Sequence, residues 1–293
     1  MPRLRVHHKT VYEYNRPVEF GEHRLVLRPR EGYDLHVEKM KLHIFPEPQI
    51  VWMRDVFGNS IAHVNFLKAS EELVIDSDLT LTRHQSTHPE DQNPPWQIVY
   101  PFEYDPLEQN ISDAYRKRTY PDDAPAIKTW LDGHFPDRDH VDALSIGYQL
   151  GKIIHQEIKY NRRMEKGVQT PSQTLELKSG SCRDMATLML DALRELGFAA
   201  RFASGYLTCQ ASEAGRASMH AWIEFYLPKF GWRGFDPTIG EPTSIKHIVV
   251  GVSDHPRGVM PVSGSFHGTS IDFVQMSANV RIETTPEEMS YSE

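Results

Sequence analysis

Apolar residues recur along this chain with two different periods, and the change from one to the other limits the folds open to it. From Leu4 to Thr82 they recur at every second position. Leu4, Val6 and His8 run on to Val11, Tyr12 and Tyr14 ahead of Pro17, and Met40 to Ile44, Ile50 to Met53, Ile61 to Phe66 and Leu73 to Thr82 follow the same rule, with His23 to Arg30 as a further short run. Alternation of this kind puts the apolar side chains on one face of a half-buried strand. Turn residues separate the runs: Arg30-Glu31-Gly32 closes one, and Asp55 to Asn59 joins two. Short strands at this spacing predict an antiparallel sandwich or barrel.

Between about residues 84 and 107 the alternation gives way to a stretch rich in proline and polar residues, the composition of a connection. The period beyond it is that of a helix. Ala124 to Phe135 reads as one helix and His140 to Lys159 as another, with Val141, Leu144, Tyr148, Ile153, Ile154 and Ile158 near one face. Residues 182 to 196 form the clearest helix, striped by Met185, Leu188, Met189, Ala192, Leu193 and Leu196 and ended by Gly197, which suits the left-handed position past a helix. Strand-like runs return at Ala200 to Leu207, His220 to Tyr226, Gly231 to Phe235 and Lys246 to Val252, and Thr284 to Glu293 reads as a frayed end. The prediction is an α+β protein with an antiparallel β-domain over residues 1–90, a connection over 91–120 and a second domain over 121–293. A length of 293 residues with 39% hydrophobic and 25% charged residues accommodates two ordinary globular cores and excludes disorder.

Charge and cysteine content narrow the function classes. The formal net charge of −8 argues against a nucleic-acid or anionic-membrane partner. Two cysteines, Cys182 and Cys209, make no disulfide framework and no CxxC zinc pair, so a reducing compartment is expected. No apolar h-region follows the first charges and no run approaches the length of a membrane span, which predicts a soluble, cytoplasmic protein. His7-His8 and His84 with His88 lack acidic or thiol partners at ligand spacing, so no metal site is expected.

Gly180-Ser181-Cys182-Arg183-Asp184 opens the clearest helix. Ser181 is an N-cap candidate, and Asp184, three residues on, is placed to reach back to the cap amide. Cys182 therefore sits in the first turn, where unpaired amides and the helix dipole favour a thiolate. A buried structural cysteine is the competing reading, and the decision turns on whether a base is available. In the strand-like run from Met219 to Tyr226, His220, Trp222 and Glu224 share a face. If that run pairs antiparallel with Trp232 to Thr238, Asp236 falls level with or just beyond His220, which brings a carboxylate to an imidazole. Arg183 and Asp184 read as helix-start and scaffold groups, and Cys209, in a loop of small and polar residues, as a bystander.

Taken in order, Gly180 to Asp184, Arg201 to Leu207, His220-Ala221-Trp222 and Gly231 to Thr238 resemble the transglutaminase-like superfamily of papain-fold cysteine enzymes. The chain is most similar to bacterial transglutaminase-like proteins of the cysteine-protease type, whose N-terminal β-domain Tyr12 to Val18, Leu25 to Arg30 and Asp55 to Asn59 also resemble. The resemblance implies a transglutaminase-like catalytic domain, with Cys182 as nucleophile, His220 as general base and acid, and Asp236 orienting the imidazole. It implies an oxyanion hole including the Cys182 amide, and by analogy Trp222 and Trp232 wall the cleft. Ser253 to Gly258 departs from the turn usual in the family, which bears on the rim of the cleft. The expected chemistry is acyl transfer from an amide or peptide bond of a protein or peptide substrate, through a thioester and without metal or organic cofactor. Hydrolysis is expected because water competes unless excluded. A protein transglutaminase using an amine acceptor and a non-catalytic scaffold or binding module are the alternatives.

Overall fold

The computed structural model describes residues 3–84, 97–163, 165 and 167–285. Strands β1 (Arg3–Phe20), β2 (His23–Leu25), β3 (Leu35–Phe45), β4 (Pro48–Arg54), β5 (Ser60–Phe66) and β6 (Ser70–Arg83) follow one another, so the alternating runs are strands. The first is longer than its sequence suggests. It passes straight through Pro17, where the register of β1 with β6 shifts between Glu13 and Val18, the irregularity that lets a strand carry a proline.

Helices α1 (Gln109–Arg116), α2 (Ala124–His134) and α3 (Ala143–Glu157) come next, then β7 (Lys159–Tyr160), α4 (Pro171–Leu177), β8 (Ser179–Gly180) and α5 (Cys182–Glu195). Gly197 adopts φ 86° just past α5, as its position predicts. The remaining elements are β9 (Ala199–Leu207), α6 (Gln210–Glu213), β10 (His220–Leu227), β11 (Gly231–Asp236), β12 (Glu241–Pro242), β13 (His247–Ser253), β14 (Val262–Ser263), β15 (Phe266–His267) and β16 (Phe273–Thr285).

Three antiparallel sheets organise the chain. One has the order β15-β1-β6-β3 with β16 also on β1, a second runs β14-β2-β5-β4, and a third runs β12-β11-β10-β9-β13. The first two enclose Val18, Leu25, Leu27, Ala62, Val64, Leu73 and Ile75, which makes the N-terminal region a sandwich. Helix α5 packs on the third sheet, where Met185, Leu188, Met189, Leu190 and Leu193 lose all solvent contact along with Ile223, Phe225 and Phe235.

The expected assignment of residues 121–293 to the second domain does not describe the C-terminal strands. Val6 pairs with Ile282 and Tyr12 with Met276, while β14 pairs with β2, so residues 262–285 complete the N-terminal sheets. The alternation of Met276, Ala278, Val280 and Ile282 finds its partner strand at the other end of the chain, which local sequence does not indicate. Tyr206, Ile248 and Val250 of the third sheet also share one core with Val6, Leu79, Leu81, Val280 and Ile282. Residues 284 and 285 of the expected frayed tail belong to β16, and 286–293 lie outside the described residues.

Candidate active site

Cys182 is the first residue of α5, and the helix start is held by its neighbours rather than by the cysteine. Asp184 Oδ2 accepts hydrogen bonds from the Ser181 N–H and the Ser181 hydroxyl, each at 2.8 Å. Its Oδ1 accepts from the Gln169 N–H at 2.7 Å, and Arg163 Nη1 lies 2.8 Å from both carboxylate oxygens. Burial opposes ionisation of Asp184, yet the Arg163 guanidinium and these amide donors outweigh it and hold the carboxyl below its ordinary range. The predicted cap is present, and its carboxylate takes both the cap amide and the cap hydroxyl. The Asp184 amide already bonds back to the Ser181 carbonyl at 3.0 Å, which leaves the amides of Cys182 and Arg183, ahead of the first intrahelical bond, as donors at the cysteine.

The imidazole arrives from the third sheet. Strands β10 and β11 pair antiparallel from Ile223↔Phe235 to Leu227↔Gly231. One further step of that register sets Asp236 across from Trp222 and on the diagonal to His220, on the same face. His220 Nε2 and Asp236 Oδ2 are 2.6 Å apart. The other ring nitrogen, Nδ1, is left for Cys182, with which His220 shares a hydrogen bond. Burial works against a charged His220, but the hydrogen bonds and negative charges of Asp236 and Cys182 prevail and raise its pKa to about 10. Asp236 is completely buried, and it too ionises against its burial, because His220 and His247 hold it well below the usual carboxylate range. Its Oδ1 accepts from the Thr238 N–H at 2.9 Å, so this aspartate starts a turn and serves the imidazole at once.

A second histidine braces the same oxygen. His247 Nε2 lies 3.2 Å from Asp236 Oδ2, while its Nδ1 accepts from the Ser244 N–H at 3.1 Å. That amide fixes the tautomer, because a nitrogen accepting a hydrogen bond carries no proton and Nε2 must then donate. His247 appears in the sequence only as the start of a strand-like run, with no local signal tying it to Asp236, eleven residues earlier.

The two tryptophans expected to wall the cleft do not line it. Ala221, Ile223 and Phe225 pack with α5 in one core, and Trp222 shares the other face of the strand with His220, so burial rather than alternation keeps it out of the cavity. Trp222 is fully buried against Ala203, Val249 and Val252, its ring meeting that of His247 edge-on at 5.1 Å. Gly205 makes room for it, since a Cβ there would stand 2.7 Å from Trp222 Cη2 and 2.0 Å from the Ile248 carbonyl oxygen. Trp232 lies farther along the same face, its ring 3.8 Å from the Arg201 guanidinium and against Tyr115 and Tyr226.

The walls of the cavity at Cys182 come instead from both ends of the chain. It encloses about 410 Å³ and is lined by Cys182 and His220, by Tyr160 and Met219, by Pro256 and Val259 to Val262, by His8, Thr10 and Tyr12 of β1 and by Met276 to Ala278 of β16. Pro256, within the turn that departs from the family pattern, and Val259, just after it, are buried and line the cavity. Parallel pairing of β7 with β8, Tyr160 opposite Gly180, brings Tyr160 beside the cysteine. Burial and the charge of Cys182 raise the Tyr160 pKa. His8 is buried, its Nδ1 3.3 Å from the Tyr206 hydroxyl and its Nε2 3.2 Å from that of Thr10. Burial, helped by His7, lowers its pKa to about 4. His7 points the other way, to Asp76 at 2.8 Å, so the two adjacent histidines do not converge on one site. Cys209 caps α6 and takes no part in the cavity, and His88 lies outside the described residues. No helix among the described residues is long and apolar enough to cross a membrane.

A cysteine at the start of a helix packed on an antiparallel sheet that supplies histidine and aspartate is a papain-like arrangement. Residues 142–237 match the transglutaminase-like superfamily, and residues 4–82 match the bacterial transglutaminase-like N-terminal region. The chain belongs to the transglutaminase-like superfamily. A solved "Putative Cysteine Protease" from Cytophaga hutchinsonii shares the fold, with a TM-score of 0.71 at 14% identity over 99% of this chain and 92% of that one. An uncharacterized protein of Mycobacterium tuberculosis is 26% identical over 310 residues, covering 97% of this chain and 93% of its own. A protein-glutamine gamma-glutamyltransferase of Pseudomonas aeruginosa is 35% identical over 69 residues, which is 22% of this chain and 10% of that protein.

Proposed function

We propose that the protein is a cysteine-dependent acyl-transfer enzyme that cleaves an amide or peptide bond through a thioester and passes the acyl group to water. The observation that carries this reading is the chain of contacts from Asp236 Oδ2 through the His220 ring to Cys182, at a helix start that opens on a cavity. His220 carries a proton at neutral pH in that arrangement, and Cys182 is its counter-charge. The Cys182 thiolate attacks the carbonyl carbon, a C–S bond forms and the carbonyl oxygen becomes an oxyanion facing the amides of the first turn of α5. His220 delivers its proton to the departing nitrogen as the C–N bond breaks, leaving a thioester and a neutral imidazole. Water then gives a proton to His220, adds to the thioester and releases the acid, and thiolate and imidazolium are restored. Asp236 stays ionised throughout and holds the ring in place.

An amine in place of water follows the same steps and gives a transamidation, which the similarity to the Pseudomonas gamma-glutamyltransferase favours over that short segment. The two readings part on the product. Wild type and Cys182→Ser would be incubated with a mixed peptide library, with and without a primary amine, and followed by intact mass. Cleaved or deamidated products from the wild type alone, with a transient acyl adduct on Cys182, support the hydrolase. Amine-adducted products move the assignment to amine transfer. A reactive Cys182 with neither product nor adduct points to a non-catalytic module.

A further inference from the structure

The charges around the cavity are strongly one-sided. The chain has 40 acidic and 32 basic residues, yet among the described residues no aspartate or glutamate lines the cavity at Cys182, whereas Arg162, Arg163 and Arg183 do. Arg163 is accounted for by Asp184 at 2.8 Å. Arg162 is exposed and Arg183 half-buried, and neither has a carboxylate partner among the described residues. The lining also includes the apolar side chains of Met219, Met260, Val262 and Met276. Two unpaired guanidiniums beside a nucleophile, in a protein of net negative charge, keep a local positive field that repels nothing anionic. Guanidinium also binds carboxylate in a matched two-point geometry.

From this we infer that the cavity takes an anionic acyl donor: an amide or peptide with a carboxylate close to the reacting carbonyl, held by Arg162 and Arg183, and with an apolar substituent directed at the methionines of the lining. The inference rests on the proposed nucleophilic role of Cys182 and adds the substrate class.

Iodoacetate and iodoacetamide test it, because they deliver the same group to sulfur and differ in a carboxylate next to the reacting carbon. Alkylation of Cys182 by each would be followed by peptide mass mapping, and the ratio of the two rates cancels changes in the thiol itself. The ratio is expected to fall about five- to tenfold in Arg162→Gln/Arg183→Gln, and by a similar factor in the wild type as salt rises from about 0.02 to about 0.5 M, since an exposed field of this kind is screened. The His220 imidazolium attracts iodoacetate in its own right, so the salt series is compared between wild type and the single substitutions Arg162→Gln and Arg183→Gln. That comparison tests the arginines even if the double substitution fails to fold. A ratio unchanged by both substitution and salt overturns the anionic-donor inference and leaves the acyl-transfer reading intact. If Cys182 reacts with iodoacetamide no faster than Cys209, the nucleophile reading falls and takes this inference with it.

Discussion

Two histidines meet one oxygen in the candidate site: His220 Nε2 lies 2.6 Å and His247 Nε2 3.2 Å from Asp236 Oδ2, so a buried carboxylate braces the imidazole that reaches Cys182 and is itself braced by His247. Its effect is separable from that of His220. His247→Phe removes a donor to a buried carboxylate, worth about 1.5 kcal/mol for a charged acceptor, so kcat is expected to fall about tenfold while KM holds. His247→Gln, which retains an N–H donor, should recover part of the loss. Steady-state kinetics on whichever peptide the library identifies would read both, and a KM-dominated defect would assign His247 to the cavity wall instead. In the sequence, the helix start marked Cys182 and the pairing of two strand-like runs marked His220 and Asp236, whereas a buried strand histidine such as His247 carries no local mark. Trp222 and Trp232 pack against His247 and Arg201 outside the cavity although they share a sheet face with His220.

At the scale of elements, the hydrophobic period was a sound guide wherever one element buries one face. The helices expected over Ala124 to Phe135, His140 to Lys159 and 182 to 196 are present as α2, α3 and α5, and the hairpin across Asp55 to Asn59 joins β4 and β5. It was silent on α4, whose seven residues are too few to show a period, and the alternation in β16 does not say that its partner is β1. The start of α5 is where local chemistry and the site meet most closely. Asp184→Ala leaves Arg163 with only the exposed Glu165, 3.5 Å from its Nε, and frees the Ser181 and Gln169 amides, and breaking the buried ion pair in this way is expected to destabilise the fold by about 3 kcal/mol. Urea unfolding would measure it. Asp184→Asn, which keeps an acceptor, should cost less. Equal costs would place the stabilisation in the charge, which both variants lose, rather than in the acceptor that asparagine keeps.

Across the whole molecule, the N-terminal sandwich is a structural part of the cavity rather than an appendage. Both ends of the chain meet on β1, and the same strand supplies His8, Thr10 and Tyr12 to the cavity. That arrangement makes the junction sensitive to acid. His8 is pushed down to about 4 when folded, against an ordinary value of 6.5. Between those values the unfolded chain binds a proton that the folded one refuses, so stability rises with pH across the window and is lost as pH falls through it. The full shift corresponds to roughly 3 kcal/mol. His8→Gln, which has no such titration, should show a flatter loss of stability between about pH 6.5 and 4.5 in urea titrations. Parallel slopes for the two proteins would remove His8 from the account.

In the proposed enzyme, a protonated His220, held in place by Asp236, activates the sulfur of Cys182. The most direct measurement is the rate of Cys182 alkylation by iodoacetamide against pH, read by mass in wild type and His220→Ala. With His220 keeping its proton at neutral pH, the wild type should be alkylated at Cys182 at least about tenfold faster at about pH 6 to 7 than His220→Ala. Identical curves for the two proteins, each climbing as a free thiol does, would contradict the ion pair and the enzyme built on it.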